Sequence, residues 1–256
     1  IVVLDEFDRC ESAAFRLSVA ELLKNLSDRS VRVQLVIAGV AHNLAELIEH
    51  IPSIQRNLYA LQLPRMDAHE VRQLVKNGEE VSSLKFDDVV TAAIINVSNG
   101  FPYLASLLSH HAGLHALDEG RTIVAKDDLT AAIGSALDEL RGRVSKKAQA
   151  DIAECDRAGQ LQLWGALAGA AQLSGGDFDA DEIAGLADGI ENAERAKRLV
   201  DMLASKNALI ARRDELPLSY RFLEESIPPY LWLLSAQARL NETAQVVPIT
   251  QASAVP

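Results

Sequence analysis

IVVLDEFDRC (residues 1–10) places four β-forming residues before two carboxylates and a mixed polar run. The short apolar stretch 1–4 predicts a strand buried on both faces. In a parallel α/β sheet, ligands bind beyond the carboxyl ends of the strands. Asp5 and Glu6 fall at such an end. An Asp there can hold a Mg²⁺ that bridges phosphates, and a Glu beside it can orient and deprotonate a water. Acids also end many strands as plain solvated caps, so the pair acquires meaning only from the elements downstream of it.

Residues 11–27 carry apolar side chains at Ala14, Leu17, Ala20, Leu23 and Leu26, a helical stripe. VRVQLVIAGV (31–40) then predicts a second strand, and strand, helix, strand in that order is a parallel βαβ unit. Residues 43–50 read as helix up to Pro52, and LYALQL (58–63) as a third short strand stopped by Pro64.

Beyond Asp67 the pattern turns helical. Asp67 with Glu70 three residues on predicts a capping box. Helices are expected at about 68–80, 86–98, 101–117 and 126–141, with Asn99-Gly100 ending the second and Pro102 in the first turn of the third. A polar connector follows, then helices at 161–173, about 179–188 and 191–206. ALIARR (208–213) and SYRFL (219–223) predict a hairpin, and Pro228-Pro229 opens a last helix. Three helices followed by a hairpin is the order of a winged helix. Residues 241–256 read as a disordered tail.

Composition sets outer bounds. A net charge of −11 disfavours a protein that coats nucleic acid non-specifically. Cys10 and Cys155 match neither a metal-ligand spacing nor a disulfide framework, so a reducing, cytoplasmic location is the default. No apolar run reaches membrane-span length, which excludes a membrane partner at this level.

Strand plus Asp5-Glu6, then a strand followed by His42-Asn43, then Arg56 in SIQRN, then LQLPRMD and helices, resembles the AAA+ ATPases. Within that superfamily the succession is most similar to the branch of origin-recognition and initiator ATPases, transposition and secretion ATPases, and STAND signalling ATPases. The resemblance covers about 1–140 by motif and 150–240 by element order. It implies a partial parallel P-loop sheet over 1–66, an all-α lid over 67–142 and a winged helix over 150–240, mostly helical overall. It assigns Asp5 to Mg²⁺ and Glu6 to water activation, with the polar "sensor 1" on His42 or Asn43, Asn43 preferred. Arg56 is the arginine finger reaching ATP held by a neighbouring subunit, which implies self-assembly; Arg65 is the fallback. Gly100-Phe101-Pro102 matches the G-x-P motif whose proline region packs on adenine, although the same residues serve as ordinary helix punctuation. YLASLLSHH, where a lid arginine is usual, has none. His110 and His111, being adjacent, face different directions and make a poor metal pair.

The phosphate-cradling G-x-x-x-x-G-K-[ST] loop does not occur in these residues. The chain therefore reads as the C-terminal portion of a longer Mg²⁺-dependent ATPase, inert alone. The alternative is a non-catalytic DNA-binding or regulatory winged-helix protein that keeps the fold. Residues 151–240 hold nine Lys/Arg and fifteen Asp/Glu, a net charge of −6, which leaves DNA and a protein partner as equal expectations for that module.

Overall fold

The computed structural model describes residues 1–7, 10, 12–39, 59, 61, 63–157, 159–173, 177–179, 193–205, 209–212 and 219–245. The chain divides into two units, Ile1–Leu63 and Pro64–Pro256.

In the first unit, β1 (Val2–Leu4) pairs in parallel with β2 (Leu35–Ile37), Val2 opposite Leu35 and Leu4 opposite Ile37. Between them runs α1 (Ala13–Asp28), whose N-cap Ser12 accepts a hydrogen bond from the Phe15 amide. The βαβ unit thus forms where the apolar pattern predicts it. The burial differs from expectation: Val2 is 47% exposed and Val3 60%. Among the described residues β1 has one strand neighbour, and a two-stranded ribbon cannot cover both of its faces. The α1 stripe is partly realised, with Ala20 buried and Leu17 exposed. Phe7 is buried, and its ring meets that of Phe15 at 6.4 Å. Tyr59, Leu61 and Leu63 are not in a strand; the rest of the LYALQL stretch and the helix expected at 43–50 lie outside the described residues.

The second unit begins with α2 (Ala68–Ser82). Its capping box forms: the Glu70 amide donates to Asp67 Oδ1 and the Asp67 amide to Glu70 Oε2, each at 2.8 Å. Then come β3 (Lys85–Phe86), α3 (Asp88–Ser98), α4 (Pro102–Asp118), β4 (Ile123–Val124) and α5 (Lys126–Arg141). β3 and β4 pair in parallel. This departs from the all-α expectation for the segment, and two-residue strands are too short to leave a periodic signature. The connector holds α6 (Lys146–Arg157), whose start is capped by Glu224: the Ser145 amide donates to Oε2 at 2.9 Å and the Ser145 hydroxyl to Oε1.

α7 (Leu161–Leu173) is followed by β5 (Asp177–Phe178), α8 (Ala193–Ser205), β6 (Ile210–Arg212), β7 (Tyr220–Phe222) and α9 (Ile227–Gln245). β6 and β7 form the predicted hairpin, and β5 adds to β7 as a third antiparallel strand. Tyr220 is buried and donates to Asp201 Oδ1 at 2.7 Å, and burial together with that bond pushes its pKa up to about 12. The helix expected at 179–188 lies outside the described residues except for Asp179. α9 continues to Gln245, past the start of the expected tail at 241; residues 246–256 are not described.

One apolar cluster runs from Val71 to Ala236, with Ile94, Leu104, Leu108, Leu140, Trp164 and Leu167 fully enclosed. Burying each such side chain contributes about 1.5–3 kcal/mol. Gly165 and Gly169 let α9 approach α7 closely: a Cβ on Gly165 would overlap Ser235, and one on Gly169 would lie 3.0 Å from Trp232 Cζ3.

A buried charge also holds this unit. Asp128 is fully enclosed, and its carboxylate accepts from Arg121 Nη2 at 2.6 Å, Arg121 Nη1 at 2.7 Å and the Ala125 amide at 2.7 Å. His115 Nδ1 lies 2.6 Å from Asp128 Oδ1. The Arg121 hydrogen bonds, assisted by the Ala125 amide, hold the Asp128 carboxyl well below the usual carboxylate range. A depressed carboxyl stabilises the fold above its unfolded value of about 4 and loses that contribution as pH falls towards its folded value. Asp128→Ala leaves Arg121 without its buried partner and should cost about 3 kcal/mol in denaturant unfolding. The fall in stability below about pH 4 should be shallower in Asp128→Asn than in the parent.

Candidate functional site

The two carboxylates of the opening stretch stand where the strand ends. Ala38, just past β2, grips the chain on both sides of them: its amide donates to the Leu4 carbonyl at 2.9 Å, and its carbonyl accepts from the Phe7 amide at 3.0 Å. Asp5 and Glu6 are left as an exposed two-residue projection between those bonds. Glu6 takes a left-handed backbone (φ 52°), a conformation disfavoured for a residue with a Cβ. Its amide donates to Asp5 Oδ1 at 2.9 Å, which ties the pair together. Asp5 Oδ2 has no partner among the described residues. One carboxylate with a free oxygen fits the needs of Mg²⁺, which takes one or two protein carboxylates and completes its shell with water and phosphate.

His42, Asn43 and Arg56 lie outside the described residues. Arg65 is described, and the finger role does not suit its surroundings. Its Nη1 donates to the Asn99 carbonyl at 3.2 Å and its Nη2 to the Gly169 carbonyl at 3.3 Å, with the guanidinium 4.3 Å above the Phe101 ring. A finger must reach outward, and this guanidinium is committed to its own chain. Burial pulls its pKa down.

These contacts frame a cleft of about 350 Å³ between the start of α2 and the α3–α4 turn, bordered by Arg65, Met66, Asp67, Asn96, Asn99 and Gly100. The turn is built from two successive left-handed residues, Asn99 (φ 50°) and Gly100 (φ 76°). The Met66 amide donates to the Gly100 carbonyl at 2.9 Å. A Cβ on Gly100 would overlap the Met66 carbonyl oxygen and lie 3.1 Å from Arg65 Cβ, so both φ and space require glycine. Pro102 sits at the first position of α4, exposed, and does not border the cleft.

The solved structures similar to this chain include the Thermotoga maritima RuvB Holliday junction branch migration motor, with 15% identity, 88% of this chain and 67% of that chain covered, and a TM-score of 0.43. Cdc6p from Pyrobaculum aerophilum shares 12% identity, with 94% and 66% covered and a TM-score of 0.43. The Aeropyrum pernix ORC2 protein, in ADPNP–ADP complexes, shares 11%, with 92% and 65% covered and a TM-score of 0.42. The chain thus spans about two thirds of each. Scores below 0.5 at these identities assign no function. No family model and no curated protein matches the chain.

The rings of His110 and His111 lie 5.5 Å apart, closer than their adjacency on a helix implies. His111 Nε2 lies 3.3 Å from Glu139 Oε2, His110 is exposed, and no metal-holding cluster occurs among the described residues. No helix among the described residues is long and apolar enough to cross a membrane. Sequence reasoning missed the structural importance of Arg65 and Trp232. The only local signals were an arginine before an N-cap and a tryptophan one turn into a helix, neither of which names a partner.

Gly100→Ala should destabilise the second unit by about 1–3 kcal/mol, through left-handed strain and overlap with Met66. Gly120→Ala, at φ 71° with nothing within 4 Å of its Cβ, should lose only the strain part. Thermal melts of the two variants read the difference.

Proposed function

We propose that this chain is part of an AAA+ ATPase of the initiator branch, in which Asp5 holds Mg²⁺ and Glu6 takes a proton from the attacking water. The observation that carries this is the strand end: two adjacent carboxylates projected beyond the carboxyl end of a parallel strand, with Glu6 held in a left-handed turn. Left-handed backbone on a residue with a Cβ is commonest at functional sites. Mg²⁺ supplies charge neutralisation for the phosphates; the chain supplies the Asp5 carboxylate and the Glu6 base. Asn43 or His42 positions the water, and Arg56 serves a neighbouring subunit in a self-assembled, soluble, cytoplasmic particle. Gly100 and Pro102 belong to the lid that receives adenine, and the polar cleft beside Gly100 supports this for the glycine.

The phosphate-binding loop that this chemistry needs is absent from the sequence, and the exposed Val2, Val3 and Val36 are what a sheet awaiting further strands would present. On this reading, turnover needs a phosphate-binding loop supplied from outside residues 1–256. Calorimetric titration of residues 1–256 with Mg²⁺-ATP should detect no nanomolar binding; finding it would sink the truncation reading. In the longer protein, Glu6→Gln should reduce turnover by at least about 100-fold, the contribution of a general base, while ATP affinity is retained. Unchanged turnover would remove Glu6 from this role.

The second reading, a regulatory winged helix, draws on α7, α8 and the three-stranded β5–β7–β6 sheet. Arg212 on β6 lies 3.6 Å from Asp201 Oδ1, and the module is acidic. Both features favour a protein partner over DNA. Fluorescence anisotropy with a labelled duplex at physiological salt should show no tight binding, whereas tight binding with a steep salt dependence would reverse that preference.

A further inference from the structure

The cleft wall and the C-terminal helices share a junction. The carbonyls of the α3–α4 turn are satisfied from several directions. Ser98 Oγ donates to Ile95, Trp232 Nε1 to Val97 at 2.8 Å, the Phe101 amide to Ser98, Arg65 to Asn99 and the Met66 amide to Gly100. Two of these donors come from side chains outside the turn, and both also meet Gly169 on α7. Arg65 binds its carbonyl, and the Trp232 ring lies where a Gly169 Cβ would come within 3.0 Å. The Arg65 guanidinium faces only neutral acceptors and a ring, has no carboxylate partner among the described residues, and keeps a buried Nε without a partner. A cation without a counter-ion has no strong Coulombic anchor and depends on the placement of the carbonyls around it.

We propose that Arg65 and Trp232 are positioning residues for the cleft, and that the junction they form at Gly169 couples movement of α7 and α9 to the α3–α4 turn that bounds it. A shift of α9 pulls on the Val97 carbonyl, and a shift of α7 moves the Gly169 carbonyl away from Arg65. Either displaces the turn, and with it the Met66–Gly100 bond at the cleft. Such coupling is reciprocal: a ligand that widens or closes the cleft reorients the C-terminal helices. The proposal rests on the cleft being a ligand site, but its test uses no nucleotide, so it and the ATPase proposal fail separately.

Amide hydrogen exchange on the full 256-residue chain tests it. Trp232→Phe removes both halves of the junction on this side, the N–H donor to Val97 and the part of the indole ring that lies against Gly169. The Met66 and Phe101 amides should then exchange about threefold or more faster, as expected when a bonded network loses one member. Ser235→Ala, on the same helix, loses the bond to Gln162 but does not touch the turn, and should leave both amides unchanged. If Trp232→Phe leaves them unchanged, or Ser235→Ala accelerates them equally, the coupling is refuted. Should Trp232→Phe fail to fold, Arg65→Lys reads the junction from the other side. Amides around Gly169 should exchange faster while those in the middle of α2 do not, and unchanged exchange at α7 overturns the proposal.

Discussion

The second unit depends on the close approach of two backbone segments, Met66 against Gly100. A turn of two left-handed residues separates α3 from α4, which leaves a row of helix-end carbonyls that need donors. Because Gly100 has no Cβ, the chain entering α2 lies directly on that turn and supplies one donor. Arg65, carried by the same segment, supplies another and reaches onward to α7. The cleft, the engagement of Arg65 and the link to the C-terminal helices all follow from that single contact.

The C-terminal helices meet the same demand from the other side. Gly165 and Gly169 bring α7 and α9 close enough for Ser235 to bond Gln162 and for Trp232 to reach past α7 to Val97. Small residues here exchange packing volume for backbone proximity. Asp128 is a different solution to a similar problem. A buried carboxylate replaces an ordinary N-cap side chain at α5, where Ala125 offers none, and Arg121 compensates its charge. Pairs of this kind are costly to break one-sidedly, which makes Asp128 a structural fixture rather than a site residue.

Much of the fold was legible because local rules agree with the tertiary outcome. The capping box at Asp67, the proline at the first position of α4, and the helices at 126–141 and 161–173 all follow from side chains acting on their own backbone. The βαβ order was legible from unbroken β-branched runs. What escaped was short or non-local. β3, β4 and β5 are each two residues long and exist only because a partner strand arrives from elsewhere. The burial of β1 was overestimated because an apolar run reports what a strand can bury, not which neighbours are present to bury it.

The candidate site divides the same way. By itself the sequence determined that two carboxylates end a buried-type strand, and that Gly100 and Pro102 punctuate two helices, since these depend on residue type and spacing alone. Only the tertiary structure decided that Glu6 is turned left-handed between two bonds to Ala38, and that Gly100 is required by Met66 as well as by its own φ. Only the fold, likewise, could turn Arg65 from a candidate finger into an internal tie. Its acceptors, Asn99 and Gly169, lie 34 and 104 residues away along the chain. A hydrogen bond across such a separation is set by packing of the whole unit, and no local pattern around residue 65 encodes it.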